Sequence, residues 1–367
     1  MKNESQYSSP SSLPDTSEES ISVQAREEAV AWESSREVKN PSNLYFCPEG
    51  DITTVVGRKD FPPEKKQAVR LLHKLDKRWN WVLLLHYSIW IAAAALSISS
   101  DNLLIGIAGY LLGGLSLSTL SVLSHESSHN LLTRNPKIDR WIGFICGIPI
   151  LFSAMGYRIM HPIHHKRLRT KEDPDDIENA TKDPALLRWV YVLVFFLSVY
   201  LYLIMVPTNA VKNGSRREKL SVILEFIAMG SIVALGWVFL PTRWMIEGWL
   251  LPLLVAGQVA NIRGIAEHGM TTSGNEMTDT RTVATHPALS FLMCNINYHI
   301  EHHLYPGVPW YNLPKVHKLL QNEYRVAGSS VYTSYRGFLG DVARAVISGV
   351  SSNRRLIPEH IREHVCV

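Results

Sequence analysis

Two stretches without a single Asp, Glu, Lys or Arg, residues 81–99 and 102–124, constrain the fold of this chain more than any other feature. Each is long enough to cross the hydrocarbon core of a bilayer as an α-helix, which takes about 20 residues. Further apolar runs follow at 141–157, 189–206, 226–242 and 248–262. A large soluble protein with buried helices is the alternative, but uncharged runs of this length are typical of membrane-spanning helices. We therefore expect an all-α integral membrane protein.

The segment before the first apolar run changes sharply in charge. Residues 1–40 carry eight acidic and four basic side chains and lack the apolar centre of a signal peptide, so we predict a disordered, Ser- and Glu-rich tail over 1–45. Basic residues then crowd the approach to the first run, namely Arg58, Lys59, Lys65, Lys66, Arg70, Lys74, Lys77 and Arg78. Because positive charge favours the cytoplasmic side of a membrane, this pattern places the N-terminus in the cytoplasm.

Eight of the fifteen histidines fall in three short clusters, each beside an apolar run. The clusters HESSH, HPIHH and HIEHH contain His125, His129, His161, His164, His165, His299, His302 and His303. Residues three and four apart share one face of a helix, so the rings of each cluster can reach one metal. Eight imidazoles are too many for one ion, which favours two. No Cys lies beside the clusters, as it usually does in structural zinc sites, so two redox-active irons are favoured.

The histidines admit two other interpretations. HESSH matches the H-E-x-x-H motif of zinc metalloproteases, in which Glu126 would be the general base. Such a protease needs only one further ligand, however, and the longer version of its motif has a third His where this chain has Asn135. A transporter that relays protons through histidines would place them near the middle of the bilayer, whereas these histidines flank the apolar runs.

The three clusters together resemble those of the membrane fatty acid desaturase superfamily, which also contains carotenoid hydroxylases, carotenoid ketolases and related lipid hydroxylases. The resemblance covers residues 60–325 and extends past the histidines, to YRIMHPIHHKRLRTKEDPDD at 157–176 and NYHIEHHLYPGVPWYNLPKVH at 297–317. It implies a non-haem diiron centre, held by histidines on the cytosolic side of the membrane. Such a centre uses O2 and two delivered electrons to remove hydrogen from a CH2–CH2 pair.

Further site residues lie outside the clusters. The family's ninth ligand is a lone His between the second and third clusters, which implies His268, with His286 as the other candidate in that interval. Some members have an Asn four residues before this His, but this chain has Gly264 there, so that detail does not carry over. Candidates for orienting the rings by hydrogen bonds, rather than binding metal, are Asp173, Asp175, Glu301 and His317.

The topology follows from the need to bring all three clusters to one side of the membrane. An even number of crossings must then separate the clusters. The runs at 81–99 and 102–124 form one hairpin and runs near 220–242 and 246–266 form a second. The runs at 141–157 and 189–206 stay on the cytosolic side. We therefore expect four transmembrane helices in two hairpins plus a cytosolic helical cap that holds the diiron site, with both termini and the clusters cytoplasmic.

Three domains are predicted on this basis. They are the tail at 1–45, a membrane fatty acid desaturase domain at 46–330 and a C-terminal cytosolic extension at 331–367. Trp310 and Tyr311 look like anchors at the membrane interface.

The function favoured by the resemblance is an O2-dependent desaturase that introduces a double bond into a fatty acyl chain, with a carotenoid hydroxylase or ketolase as the alternative. The HxxxH form of the first cluster and the His299 that opens the third favour an acyl-lipid or acyl-carrier substrate. The chain has no His-Pro-Gly-Gly haem motif, so we expect a separate ferredoxin or cytochrome b5 to supply electrons. We expect this donor to dock on a basic rim formed by residues Arg58 to Arg78 with Lys166, Arg167, Arg169 and Lys171. No nucleic acid partner is expected.

Overall fold

A computed structural model describes residues 46–48, 57–271, 275–348 and 354–356, and the predicted tail at 1–45 lies outside them. The α-helices of this part of the chain are α1 (Pro63–Leu72), α2 (Trp81–Ser99), α3 (Leu103–Ser128), α4 (Pro136–Gly147), α5 (Ala154–Arg167), α6 (Pro184–Asn213), α7 (Arg216–Phe239), α8 (Leu251–His268), α9 (Pro287–Leu292), α10 (His299–Leu304), α11 (Leu313–Leu319), α12 (Gln321–Val326) and α13 (Tyr335–Ser348). The strands are β1 (Phe46–Pro48), β2 (Arg281–Val283), β3 (Ser330–Tyr332) and β4 (Arg354–Leu356).

Helix α3 packs against α2, α4 and α8. Asn102 caps the N-terminus of α3, where its side chain accepts hydrogen bonds from the backbone amides of Leu104 and Ile105. Glycines bring its neighbours close: a Cβ on Gly109 would lie 1.9 Å from the hydroxyl of Ser97, and one on Gly114 would lie 2.5 Å from the side chain of Val255. Small residues of this kind let membrane helices approach one another closely. The packing fixes the end of α3, where the first histidine cluster lies.

Within the described residues, four helical stretches are long and apolar enough to cross a membrane. They are Lys77–Ser99, Leu103–Ser128, Arg216–Phe239 and Trp244–His268. Two further apolar helix pairs are sharply bent, Pro136–Ile150 with Ala154–Arg167 at 106° and Pro184–Ser198 with Tyr200–Asn213 at 90°. If each bent pair were one span, the number would rise to six. The predicted all-α membrane protein is confirmed to this extent, and both bends lie in runs that we expected not to cross.

The bend between α4 and α5 has a local cause and a buried anchor. Leu151 adopts a left-handed backbone conformation (φ 56°), which stops the preceding turn and redirects the chain. Ser153 then caps α5, and its hydroxyl donates to the Glu225 carboxylate at 2.7 Å. The same carboxylate accepts from the backbone N–H of Met155 at 3.1 Å. A carboxylate at a helix N-terminus is stabilising, so Glu225 on α7 sets the direction of the helix that carries the second cluster.

The ring of Trp310 lies in the protein core. Only 2% of Trp310 is exposed, and its ring lies 5.5 Å from that of Trp79 and 5.7 Å from that of Phe291, measured between centroids. Tyr311 stacks on Trp79 at 5.3 Å, and its hydroxyl accepts from the backbone N–H of Asp76 at 2.5 Å. The expectation that Trp310 anchors the chain at the membrane interface is therefore wrong, because this ring fills the space between helical segments.

The segment after the third cluster packs back onto the helices. β3 pairs in parallel with β2, and Ser330 lies opposite Arg281. Phe338 of α13 belongs to the same buried cluster as Leu187 and Tyr191 of α6. β1 and β4 pair in antiparallel fashion. The domain boundaries at residues 45 and 330 stay predictions.

Candidate metal centre

The nine predicted histidines lie at the ends of four helices. His125 is in the last turn of α3 and His129 caps that helix. His268 is the last residue of α8. The other two clusters lie on α5 and α10. The helices point these ends at one another, and the nine rings meet in two adjoining groups.

The first group contains five rings, those of His125, His129, His161, His165 and His302. One ligand atom from each lies within 4.8 Å of all the others. The Nε2 atom of His161 lies 2.9 Å from the Nε2 atoms of both His129 and His165. The Nε2 atoms of His165 and His302 are 3.2 Å apart. A metal ion needs this convergence, because imidazole nitrogens bind at about 2.0–2.1 Å.

The second group contains the remaining four rings. The ligand atoms of His164, His268 and His303 lie within 4.8 Å of one another. The Nε2 atom of His299 lies 2.9 Å from that of His268 and 3.1 Å from that of His303. The groups meet where the rings of His165 and His303 stack, with centroids 4.2 Å apart. The arrangement offers two adjacent metal positions, one with five imidazoles and one with four.

The chemistry of both groups suits a transition metal. Burial holds the pKa of His302 and His303 well below the usual range, so both rings are neutral and can offer a lone pair. The Nε2 atoms of His125 and His164 are buried, and neither has a hydrogen-bond partner among the described residues. Buried nitrogens in this state are costly unless a ligand satisfies them. Imidazole suits iron, zinc and copper, so the residues present fit two such ions.

Carboxylates lie beside rings of both groups. Nδ1–H of His164 donates to Asp173 at 2.8 Å, the type of contact expected of a carboxylate that orients a metal-binding ring. In the other group, Glu126 lies 3.3 Å from Nδ1 of His125 and is fully buried. Sequence reasoning considered Glu126 only as a protease base and missed this placement.

Glu267 was missed altogether. It is buried, pairs with Arg263 at 3.2 Å and lies 3.7 Å from Nδ1 of His299. The sequence did contain a signal, because Arg263 and Glu267 are charged residues one turn apart at the end of an apolar run. Ionisable residues within membrane segments usually mark functional sites.

The other candidates for orienting the rings make different contacts. Glu301 is fully buried, accepts from the hydroxyl of Thr282 at 2.7 Å and lies 2.5 Å from Nδ1 of His317. Asp175 accepts from the hydroxyl of Tyr202. Glu301 therefore ties α10 to β2 and α11, and the orienting roles of Asp175, Glu301 and His317 stay predictions.

A buried arginine holds the helix end at His268. Arg281 is fully buried, and its guanidinium donates to the carbonyls of Ala266 at 3.1 Å, Gly269 at 2.8 Å and Met270 at 3.0 Å. A cation is stabilising at a helix C-terminus, where carbonyls lack partners within the helix. Sequence reasoning missed this residue, because nothing in the local pattern distinguishes Arg281 from a surface arginine.

Arg169 holds the same chain segment from the loop after α5. Its guanidinium lies 2.6 Å from Asp176 and 2.8 Å from Glu178, and it donates to the carbonyl of Thr271 at 3.0 Å. Only 6% of the Arg169 side chain is exposed, so its inclusion in the basic rim was wrong. Its positive charge is already matched by buried carboxylates.

His286 lies away from both groups. It is exposed and caps α9, where its Nδ1 accepts from the backbone N–H of Ala288 at 3.2 Å. Of the two candidates between the second and third clusters, the structure therefore brings His268 to the centre.

Known proteins resemble this chain over the region that carries the nine histidines. The family model for fatty acid desaturase matches residues 101–335, well over half of the chain, and this range includes all nine histidines. The sphingolipid delta(4)-desaturase/C4-monooxygenase of Homo sapiens is 27% identical over 271 residues, 71% of this chain and 79% of the relative.

Two further relatives come from other organisms. The sphingolipid delta(4)-desaturase of Drosophila melanogaster is 29% identical over 230 residues, 59% of this chain and 67% of that protein. The sn-1 oleoyl-lipid 12-desaturase of Picosynechococcus sp. is 22% identical over 271 residues, 68% of this chain and 78% of that protein.

Proposed function

Because this chain belongs to the fatty acid desaturase family, we propose that it is an O2-dependent lipid desaturase that introduces a double bond into a fatty acyl chain. The observation that carries the proposal is the convergence of nine histidines into adjoining groups of five and four. We propose that each group holds one iron. Bound there, the two irons would supply the oxidising power that cleaves an unactivated C–H bond.

The protein residues prepare the centre for this chemistry. The nine imidazoles hold the metal positions without adding negative charge, and five or four ligands per ion leave room for O2. Asp173 accepts a hydrogen bond from the ring of His164 and fixes its direction, which raises metal affinity, and the buried Glu126 lies beside the ring of His125. Burial of the centre among helix ends keeps bulk water away from the reacting groups.

Four crossings in two hairpins, with the centre on the cytosolic side, give the topology that we propose. The four straight apolar helices provide the crossings, and the bent pairs provide a cap that stays on one side. Each of the four ligand-bearing helices brings its histidines to the same pair of groups, as a one-sided cap requires. The exposed basic residues before α2 favour a cytoplasmic position for this side and for both termini.

The electron donor that we propose is a separate ferredoxin or cytochrome b5 with an acidic docking face. The basic rim without Arg169 keeps many exposed cations, namely Arg58, Lys59, Arg70, Lys74, Lys77, Arg78, Lys166, Arg167 and Lys171. Opposite charges on the two proteins would speed their association.

The substrate is proposed to be an acyl chain within a membrane lipid. The relatives named above act on sphingolipids and on an oleoyl-lipid by their names. One of them is also named a C4-monooxygenase, which favours lipid hydroxylation as a second candidate activity. Carotenoid oxidation is the other alternative. A zinc protease with Glu126 as base would leave most of the converging histidines without a role.

Lipid profiling of a host that expresses the chain tests the proposal. Mass spectrometry should reveal a lipid with a new double bond that is absent when the chain carries His302→Ala. Metal analysis of the purified protein should find about two irons per chain. An oxidised carotenoid or a hydroxylated lipid without a new double bond would reassign the reaction, and one zinc with no iron would favour the protease.

A further inference from the structure

A small cavity adjoins the four-histidine group. Its volume is about 40 Å³, and its walls come from α6, α8 and the loop after α5. A cavity of this size holds a few water molecules or one small polar group. His164 and His268 form part of its wall, so a group that enters the cavity lies next to a metal position.

Gly264 lies at the exposed edge of this cavity. A Cβ built on Gly264 meets no atom within 4 Å, so the space beside this point of α8 is open. A larger side chain here would extend along the edge of the cavity and reduce the room for a ligand.

The opposite wall offers a hydrogen-bond acceptor. The Asp175 carboxylate accepts from the hydroxyl of Tyr202, which is the one side-chain donor to it among the described residues. A carboxylate can accept about four hydrogen bonds, so Asp175 keeps capacity for another donor. Asp175 and Tyr202 both retain partial exposure and both line the cavity.

The lining combines apolar side chains, such as those of Ile177, Val194 and Ile265, with three carboxylates. Asp173 already pairs with His164, and Asp176 pairs with Arg169, so Asp175 is the carboxylate of this wall with capacity for a further donor. A hydroxyl group is small enough for the cavity and donates to a carboxylate. Resting on the proposed desaturase function, we propose that this cavity binds a hydroxyl group that the lipid substrate carries close to the carbons that react.

Binding measurements on the purified, metal-containing protein in detergent test this inference without turnover. One pair of probes is an N-acylated saturated sphingoid base with its 3-hydroxyl and the 3-deoxy counterpart. The other pair is a saturated glycerolipid with and without a hydroxyl on its acyl chain. We expect the hydroxylated member of one pair to bind about tenfold more tightly, the effect of one hydrogen bond to a charged group. The pair that shows the preference identifies the source of the hydroxyl.

Two substitutions locate the effect. Asp175→Asn removes the charge of the acceptor, and Gly264→Leu fills the open space; both should reduce the preference to less than about twofold. Gly230→Leu is the matched control, because a Cβ on Gly230 of α7 also meets no atom within 4 Å. The control should keep the full preference. Iron content and unfolding temperature show that each variant is folded.

Two outcomes would overturn the inference. Equal binding of both members in each pair would mean that the cavity holds water only, and a preference that survives both substitutions would place the hydroxyl elsewhere. The proposed function is judged separately, by whether any of these lipids gains a double bond in the presence of an electron donor. Desaturation without a hydroxyl preference would leave the function standing and remove this inference alone.

Discussion

Replacing Arg169 with Met tests how the loop after the second cluster is held against the segment after His268. The guanidinium of Arg169 lies within 2.8 Å of both Asp176 and Glu178, and the three side chains are 6%, 4% and 4% exposed. Methionine keeps much of the volume and removes the charge. Breaking a buried ion pair by removing one partner costs about 3–5 kcal/mol, because the other charge stays buried. We expect the free energy of unfolding to fall by about this amount.

The pH dependence of this loss gives a sharper test. Without the positive charge of Arg169, burial should raise the pKa of Asp176 further above its value in the unfolded chain. Burial already raises the pKa of Asp176 in the wild-type protein. The folded variant then binds more protons than its unfolded state, so its stability falls as pH rises. The difference from wild type should be small near pH 5 and largest near pH 8.

Chemical unfolding in detergent, followed by tryptophan fluorescence at both pH values, measures the difference. Adding Glu178→Gln to the Arg169→Met variant should recover part of the loss, because one of the unpaired charges is then absent. Arg78→Met is the control, since Arg78 pairs with Asp76 while its side chain is 89% exposed, and it should change nothing measurable. A loss below about 1 kcal/mol, or a loss of equal size at both pH values, would refute the reasoning about a buried pair.

Four further predictions concern the centre and its surroundings. Replacing any one of the nine histidines with Ala should abolish desaturation while the protein still accumulates in membranes; His268→Ala with full activity and iron content would remove His268 from the ligands. Asp173→Ala should weaken iron binding about 10–100-fold in a chelator titration, since ring-orienting partners have effects of this size; unchanged affinity would remove Asp173 from the centre. Burial raises the pKa of Asp279 to about 7, so the stability that its protonated form contributes below about pH 4 should be lost as pH rises to 7. Asp279→Asn should flatten this dependence in the same unfolding assay, and an unchanged slope would contradict it. Reconstituted turnover should require an added donor and fall as salt rises, since screening lengths are roughly 8 Å at physiological ionic strength; turnover indifferent to salt would exclude electrostatic docking.

Features that depend on local spacing could be predicted from the sequence alone. The length and apolar character of a run indicate by themselves a possible membrane crossing. Four helices among the described residues meet this condition. The spacing of the clusters indicates rings on one helical face, and these rings do converge. The lone His268 was implied by resemblance, and its place at the end of α8 brings it to the same point.

The burial of single side chains could not be predicted in this way. Arg169 and Arg281 are of a residue type usually found at the surface, yet both lie among buried carboxylates or backbone carbonyls. Trp310 has the amphipathic ring of an interface anchor, yet Trp79 and Phe291 cover it. In each case the partners lie at least seven residues away, so the period of a helix or strand does not contain them.

The division of the histidines into five and four was likewise decided by the tertiary structure. His164 and His165 are neighbours in one cluster but join different groups, and so do His302 and His303. Successive residues of a helix point about 100° apart, so a single helix end can supply ligands to two positions. Spacing within a cluster shows that the rings can reach a metal, but which metal position each ring faces depends on how α3, α5, α8 and α10 are packed against one another.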